Sequence, residues 1–172
     1  METLEMTKRI EGGCTCGEVR YEVLSTPLVV HCCHCRWCQR QTGTAFALNA
    51  LIEAEHVRVT KGDVEILPVS SPSGRGQTIA RCQSCRIAVW SNYHMGGLRD
   101  FIRFIRVGTL DNPDLMPPDV HIFTSTKQPW FRLPDDDKAY AEFYPYEDVW
   151  SADCLARREA LFEEAGIEIP QR

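Results

Sequence analysis

Cysteine is the residue type in this sequence best suited to chemistry, and it occurs in clusters. The chain has 9 cysteines in 172 residues, and Cys33, Cys35 and Cys38 form a C-x-C-x2-C motif. Thiolates this close repel one another unless a soft cation lies between them, and Zn2+ binds thiolate sulfur in tetrahedral geometry. Three protein ligands leave one coordination position for water or substrate, as in catalytic zinc sites. The motif therefore predicts a zinc site with an open position.

Two further cysteine pairs predict a second, closed site. Cys14 and Cys16 lie in a glycine-flanked C-x-C turn, and Cys82 and Cys85 form a C-x2-C knuckle much later in the chain. Neither pair fills a tetrahedral site alone, but together they supply four thiolates. Sites of this kind, which connect distant segments, are usually structural and contribute to folding. We therefore expect two zinc ions per chain.

The fourth position of the central site has alternatives in the sequence. A protein side chain could fill it, which would make this site structural as well, and the candidates are His31, Cys32, His34 and His121. Cys32 and Cys33 are neighbours in an extended segment, so their side chains should point to opposite faces and not bind one metal together. We expect Cys32 to be a buried, inert thiol, with a redox role or an alternative ligand as the other options. Cys154 is expected to act as a small apolar residue.

Composition restricts the class of protein. A net charge of −5, 44% hydrophobic residues and 25% charged residues are typical of a soluble globular chain, and 172 residues are most simply one domain. No apolar run approaches the roughly 20 residues of a membrane span. The N-terminal residues lack a signal-peptide core, so a cytoplasmic location is expected, where clustered cysteines indicate metal binding or catalysis before disulfides. The acidic balance argues against a nucleic-acid partner.

The elements that position the cysteines are predicted to be short β-strands separated by Gly and Pro. Residues 35–41 are predicted to form a turn or one short helix that Gly43 closes, and Lys61-Gly62-Asp63 is predicted to be a hairpin-type turn. The predicted strands cover residues 18–23, 28–31, 46–52, 57–61, 64–67, 77–80, 87–91, 101–107 and 120–124. The pattern indicates a mainly β fold.

The C-terminal residues depart from this pattern. Ser151 is a predicted N-cap for a helix that continues to about Ala165, and Gly166 is its predicted C-terminal stop. The narrow apolar stripe of this helix predicts that it docks on the rest of the chain, and a homodimer contact is the alternative.

The ordered cysteine motifs resemble those of the glutathione-dependent formaldehyde-activating enzyme (GFA) family, which includes the centromere protein V-like proteins. The resemblance covers about residues 10–135 and leaves out the predicted tail helix. Two departures are Arg86, where many members have glycine, and the additional Cys32. The residues that carry the resemblance are 12–21, 33–38 with Gly43, 82–85, 107–113, His121-Ile122 and Pro129-Trp130.

The resemblance implies a β-tent zinc fold of short antiparallel strands with zinc knuckles, to which this chain adds the C-terminal helix. It implies a structural zinc on Cys14, Cys16, Cys82 and Cys85, and a catalytic zinc on Cys33, Cys35 and Cys38. The implied activity is that of a carbon–sulfur lyase, which reversibly joins formaldehyde and glutathione as S-hydroxymethylglutathione. The expected organisation is a lead-in over residues 1–9, the zinc-binding domain over 10–145 and a helical extension over 146–172.

Several residues near the central motif are candidates for substrate binding or for hydrogen bonds to the metal ligands. Arg36, Arg40 and Lys127 could hold the carboxylates of glutathione, because a guanidinium group binds carboxylate in bidentate fashion. The other candidates are His34 for a hydrogen bond near the metal ligands, His121 for a position facing the pocket, and Trp37, Phe46 and Trp130 for the pocket walls. The ordinary alternative for each is a solvated surface residue or a core residue.

Two other functions fit the same residues. A zinc-stabilised binding module would use both zinc sites as a rigid scaffold and would bind no thiol. Reduction of methionine sulfoxide would need a free nucleophilic cysteine near the pocket, and only Cys32 is placed for that role.

Overall fold

The computed structural model describes residues 9–170 and is a mainly β fold with three α-helices. The predicted fold class is thereby confirmed, whereas residues 1–8 of the predicted lead-in lie outside the described part. The strands are β1 (Ile10–Gly13), β2 (Arg20–Val23), β3 (Val29–Cys33), β4 (Ala47–Glu53), β5 (Val57–Lys61), β6 (Val64–Val69), β7 (Gln77–Cys82), β8 (Ala88–Tyr93), β9 (Ile102–Arg106) and β10 (Val120–Ile122). The helices are α1 (Arg36–Thr42), α2 (Tyr146–Val149) and α3 (Ala152–Ala165).

The strands form two sheets. The small sheet has the order β1-β2-β5, and the large sheet has the order β10-β3-β4-β9-β8-β7-β6. Neighbouring strands are antiparallel except for β10 and β3, which pair in parallel. This parallel pair places the segment around His121 beside the strand that carries Cys32 and Cys33.

The link between the two sheets corrects one prediction. The turn at Lys61-Gly62-Asp63 is not a hairpin, because β5 belongs to the small sheet and β6 to the large sheet. Gly62 has a φ of +70°, and a Cβ atom there would lie 2.2 Å from the carbonyl oxygen of Glu18. Only glycine tolerates that approach in a left-handed conformation, so the turn is specified by the crossing between sheets.

Strand β1 was not predicted as a strand, because its sequence is short and rich in glycine. Gly12 pairs with Tyr21 of β2, and a Cβ at Gly12 would lie 2.6 Å from the Tyr21 hydroxyl oxygen and 2.7 Å from the Thr109 carbonyl oxygen. The absence of a side chain at Gly12 therefore lets the Tyr21 ring pack across β1.

The C-terminal helix docks on the large sheet, as predicted. Ser151 Oγ accepts a hydrogen bond from the Cys154 backbone N–H, and Gly166 ends the helix in a left-handed conformation. Phe162 is buried in the core cluster that also contains Cys33. Within residues 9–170, no helix is long and apolar enough to span a membrane.

Candidate metal centres

The first cysteine group joins the two sheets. Cys14 and Cys16 lie in the turn between β1 and β2, Cys82 ends β7, and Cys85 lies in the turn before β8. The four sulfur atoms lie within 4.8 Å of one another; Cys14 Sγ is 3.4 Å from Cys16 Sγ, which is 3.6 Å from Cys82 Sγ. Two sulfurs on a tetrahedral zinc are expected about 3.8 Å apart, and a disulfide would need about 2.05 Å. The donor set therefore fits zinc.

The turns around this group keep their shape despite the departure at Arg86. The Val19 backbone N–H donates to Cys14 Sγ at 3.3 Å, which orients the first sulfur. Gly17 and Arg86 both have positive φ values, of 75° and 63°. Arg86 thus adopts the left-handed conformation that glycine would accept more readily, and Cys85 still reaches the other sulfurs.

The second cysteine group lies where β3 meets α1. Cys33 is the last residue of β3, Cys35 is the N-cap of α1, and Cys38 lies in the first turn of the helix. The three sulfurs lie within 4.8 Å of one another, and Cys35 Sγ accepts a hydrogen bond from the Cys38 backbone N–H at 3.3 Å. Cys33 is buried, whereas Cys35 and Cys38 are half-buried. The sequence motif thus becomes a compact three-sulfur site with one partly exposed side.

Crowding of these sulfurs perturbs their protonation. Hydrogen bonds from Cys33 and Cys38 lower the pKa of Cys35 to about 3, and hydrogen bonds to Cys35 and Cys38 raise the pKa of Cys33. One thiolate is thus favoured while its neighbours hold their protons, and a cation would let all three ionise together. Within residues 9–170, no fourth His, Cys, Asp or Glu belongs to this group.

A third group of possible metal ligands, which the sequence alone does not predict as a unit, lies on the other face of β3. Cys32, His34 and His121 are all buried; His34 Nε2 lies 3.6 Å from Cys32 Sγ and 2.9 Å from His121 Nδ1. His121 Nε2 lies 3.0 Å from an Asp137 carboxylate oxygen, so this series of side-chain contacts continues to an exposed residue. Alternation along β3 could have placed Cys32 and His34 on one face, but pairing with β10 was needed to add His121.

Burial shifts the pKa values of two residues of this third group. Burial raises the pKa of Cys32 to about 12 and lowers that of His34 to about 4. Cys32 is only 2% exposed. The prediction that Cys32 is buried is confirmed, and its neutral thiol favours the inert role. Among the described residues, His31 belongs to none of the three groups; its Nε2 lies 2.6 Å from the Tyr144 hydroxyl oxygen in the core.

The predicted substrate residues are only partly brought together. Arg36, Arg40 and Trp130 line one cleft of about 610 Å3, and Trp130 is 68% exposed. Lys127 does not line this cleft; its Nζ donates to the Phe131 carbonyl oxygen at 3.0 Å.

The two other aromatic candidates do not line this cleft either. The Phe46 ring packs on the rings of His34 and Phe131, with centroids 5.5 Å and 5.2 Å away. The Trp37 indole N–H is buried and has no hydrogen-bond partner within residues 9–170. Trp37 and Phe46 thus lie outside the cleft that contains Trp130.

Fold and sites together define a mainly β protein with cysteine groups suited to zinc. The family model described as glutathione-dependent formaldehyde-activating enzyme matches residues 9–126. The chain belongs to this family. A solved crystal structure of a Rhodobacter sphaeroides protein is similar, with 22% sequence identity over 63% of this chain and 96% of that chain and a TM-score of 0.46. The search of curated proteins gave no match.

Proposed function

We propose that this protein is a zinc-dependent carbon–sulfur lyase that joins or releases formaldehyde, or a related small carbonyl compound, and a thiol such as glutathione. The observation that carries the proposal is the convergence of Cys33, Cys35 and Cys38 in a chain that belongs to this enzyme family. The four-cysteine group would hold a second, structural zinc. In the cell, small thiols and carbonyl compounds would be its partners.

The three central cysteines are held on regular elements, which suits a reaction that depends on position. Cys33 pairs with Ala47 of β4 and with Ile122 of β10, so strands on both sides fix its sulfur. Cys35 caps the helix that carries Cys38. A zinc ion bound there would supply Lewis acidity and favour the thiolate form of a thiol. Since thiols add readily to formaldehyde in water, the protein residues would mainly bring the two reactants together.

Hydrogen bonds on the backbone of this loop support the same geometry. The Gln39 side-chain amide donates to the His34 carbonyl oxygen at 2.6 Å and to the Thr126 carbonyl oxygen at 3.0 Å. The Thr126 hydroxyl also donates to the His34 carbonyl oxygen. These bonds fix the residue between Cys33 and Cys35 and so limit the motion of both sulfurs.

The methionine sulfoxide reductase alternative finds little support. It requires Cys32 to attack a substrate, but Cys32 is almost fully buried and its thiol has a raised pKa. A thiolate is the nucleophilic form of cysteine, and a pKa near 12 leaves almost none at neutral pH.

Magnetisation-exchange NMR on mixtures of glutathione and formaldehyde tests the proposal. Zinc-loaded protein should accelerate the interconversion of free and hydroxymethylated glutathione, and Cys38→Ser should abolish the acceleration. Cys154→Ser is the matched control, because Cys154 lies outside all three cysteine groups. If the zinc-loaded protein gives no acceleration, or if Cys38→Ser retains it, the central group is not the site of this reaction.

A further inference from the structure

A second cavity, of about 290 Å3, is lined by arginines and by residues that are close in sequence to both cysteine groups. Three of its lining side chains are Arg81, Arg86 and Arg106, and Gln41 and Thr42 contribute from the end of α1. Arg86 follows directly after Cys85 of the first cysteine group. The sequence alone does not indicate that these arginines bind substrate, because Arg81 adjoins the predicted knuckle, Arg106 occurs within a predicted strand and Arg86 is a departure from the family pattern.

This cavity lies on the sulfur side of α1. With about 100° between successive helical residues, Cys38, Gln41 and Thr42 fall on one side of α1, and Arg36 and Arg40 fall on the opposite side. The Thr42 hydroxyl donates to the Cys38 carbonyl oxygen at 2.8 Å. The cleft that contains Arg36 and Arg40 is thus on the face of α1 away from Cys38. The second cavity is on the face of α1 that carries Cys38.

Arg106 connects the cavity to the central sulfurs. Its Nη1 donates to Asn49 Oδ1 at 2.5 Å and its Nη2 to Gln41 Oε1 at 3.5 Å. Burial lowers the pKa of Arg106, and the charges of Cys38 and Cys33 act in the opposite direction. Arg106 thus lines the cavity and contacts Gln41, which is three residues after Cys38 on α1.

The positive charge around the cavity exceeds the negative charge that the chain places there. Within residues 9–170, Arg86 pairs with Glu65, but neither Arg81 nor Arg106 has a carboxylate within salt-bridge distance. Arg81 Nη1 donates to the Arg86 carbonyl oxygen at 3.1 Å, and the charge of Arg81 disfavours the charged form of Arg106. The thiolates of a zinc-loaded central site would carry one net negative charge, which one guanidinium balances. A second anion would relieve the remaining repulsion.

We propose that the cavity bounded by Arg81, Arg86 and Arg106, rather than the cleft that contains Arg36 and Arg40, binds a carboxylate of the substrate thiol, so that these three arginines determine the preference for an anionic over a neutral thiol. This inference rests on the function proposed above for the central site. Guanidinium groups recognise carboxylate through paired N–H donors, and a partly enclosed site strengthens that recognition. A carboxylate held here would direct the thiol end of the same molecule toward Cys38 and its neighbours.

Binding of S-methylglutathione to the zinc-loaded full chain tests the inference without any reaction. This ligand keeps both carboxylates of glutathione but has no thiol that could bond to a metal or add to a carbonyl. Calorimetry should show binding that weakens as salt rises. Arg81→Gln should weaken it by about 10- to 100-fold, because a charge-assisted contact is lost. Arg9→Gln is the matched control, since Arg9 is an exposed arginine that precedes β1 and does not line the cavity.

The competing site is tested in the same series. Arg40→Gln removes a guanidinium from the cleft on the opposite face of α1. If Arg40→Gln weakens binding and Arg81→Gln does not, the inference is overturned, as it is if the unmodified chain binds no S-methylglutathione. Should Arg81→Gln fail to fold, Arg Nε–Hε signals of the unmodified protein give the answer: those of Arg81 and Arg106 should shift on titration, and unshifted signals would overturn the inference.

Failure of the inference is distinct from failure of the proposed function. Exchange rates with 3-mercaptopropionate and with the neutral 2-mercaptoethanol should show a preference for the anionic thiol that Arg81→Gln removes. Acceleration that is equal for both thiols overturns the carboxylate site and leaves the lyase function in place. Binding that depends on Arg81 in a protein that accelerates neither these thiols nor glutathione supports the anion site and refutes the lyase function.

Discussion

Replacement of Cys82 by serine should destabilise the whole fold, whereas replacement of Cys38 should not. Cys82 is fully buried, and its group ties the β1–β2 turn of the small sheet to the β7–β8 turn of the large sheet. A structural four-ligand zinc site contributes about 10–16 kcal/mol in small zinc domains, and a domain's total stability is about 5–15 kcal/mol. Loss of one of four thiolates weakens zinc binding and removes a large share of that contribution, which is substantial against the total stability, so Cys82→Ser should be largely unfolded.

Cys38→Ser should behave differently because other interactions hold its surroundings. Cys38 is half-buried, β3 pairs with strands on both sides, and Gln39 bonds the backbone of the loop. The expected cost is in the ordinary range for a point substitution, about 0.5–3 kcal/mol. Activity should disappear while the fold persists.

Far-UV circular dichroism during thermal unfolding, with zinc content measured on the same samples, checks this contrast. Zinc-loaded unmodified protein should contain two zinc ions per chain, and Cys38→Ser should retain the structural ion and a cooperative transition. Cys154→Ser should match the unmodified protein. If Cys82→Ser and Cys38→Ser unfold alike, the division into a structural and a catalytic site is wrong.

Two further predictions concern the scaffold. Arg157→Met leaves the buried Glu53 carboxylate without its two hydrogen bonds, both 2.7 Å, and should cost about 3–5 kcal/mol at pH 7 in urea unfolding. Burial opposes ionisation of Glu53, but the hydrogen bonds from Arg157 outweigh this effect and lower the pKa of Glu53. The pair therefore stabilises the fold at pH values above the unfolded pKa of about 4.3, and this stabilisation is lost as the pH falls through the folded pKa. The unfolding curves of the two proteins should thus converge in acid, and a gap that persists there would contradict the assignment. Gly12→Ala should lower the free energy of unfolding by about 1–3 kcal/mol, because its Cβ would lie 2.6 Å from the Tyr21 hydroxyl oxygen. Gly108→Ala is the control, because a Cβ there meets nothing within 4 Å. Equal melting temperatures of the two variants would refute the packing argument.

The sequence predicts the local elements well because the signals for them are local. Ser151 and Gly166 bound α3, and Gly43 ends α1, since caps and left-handed stops depend on neighbouring residues. The spacing of Cys33, Cys35 and Cys38 likewise allows three sulfurs to meet within one short segment.

Features that depend on strand pairing were not accessible from the sequence. Periodicity identifies β10 but does not show that it pairs in parallel with β3, so the contact between His34 and His121 could not be foreseen. The same holds for Arg106, because alternation in β9 predicts a strand without showing which face meets α1. Long-range pairing therefore sets both the third buried group and the arginine cavity.

The two faces of β3 carry neighbouring cysteines that belong to different groups, so the pairing of β3 decides which sulfur enters the central group. Cys33 reaches the central group on one face, and Cys32 reaches His34 and His121 on the other. If β3 slipped by one residue against β4, each sulfur would move to the opposite face, and Cys32 would be presented in place of Cys33. The chain thus carries a competing sulfur one position away, and the hydrogen-bond register on both sides of β3 selects the sulfur that joins Cys35 and Cys38.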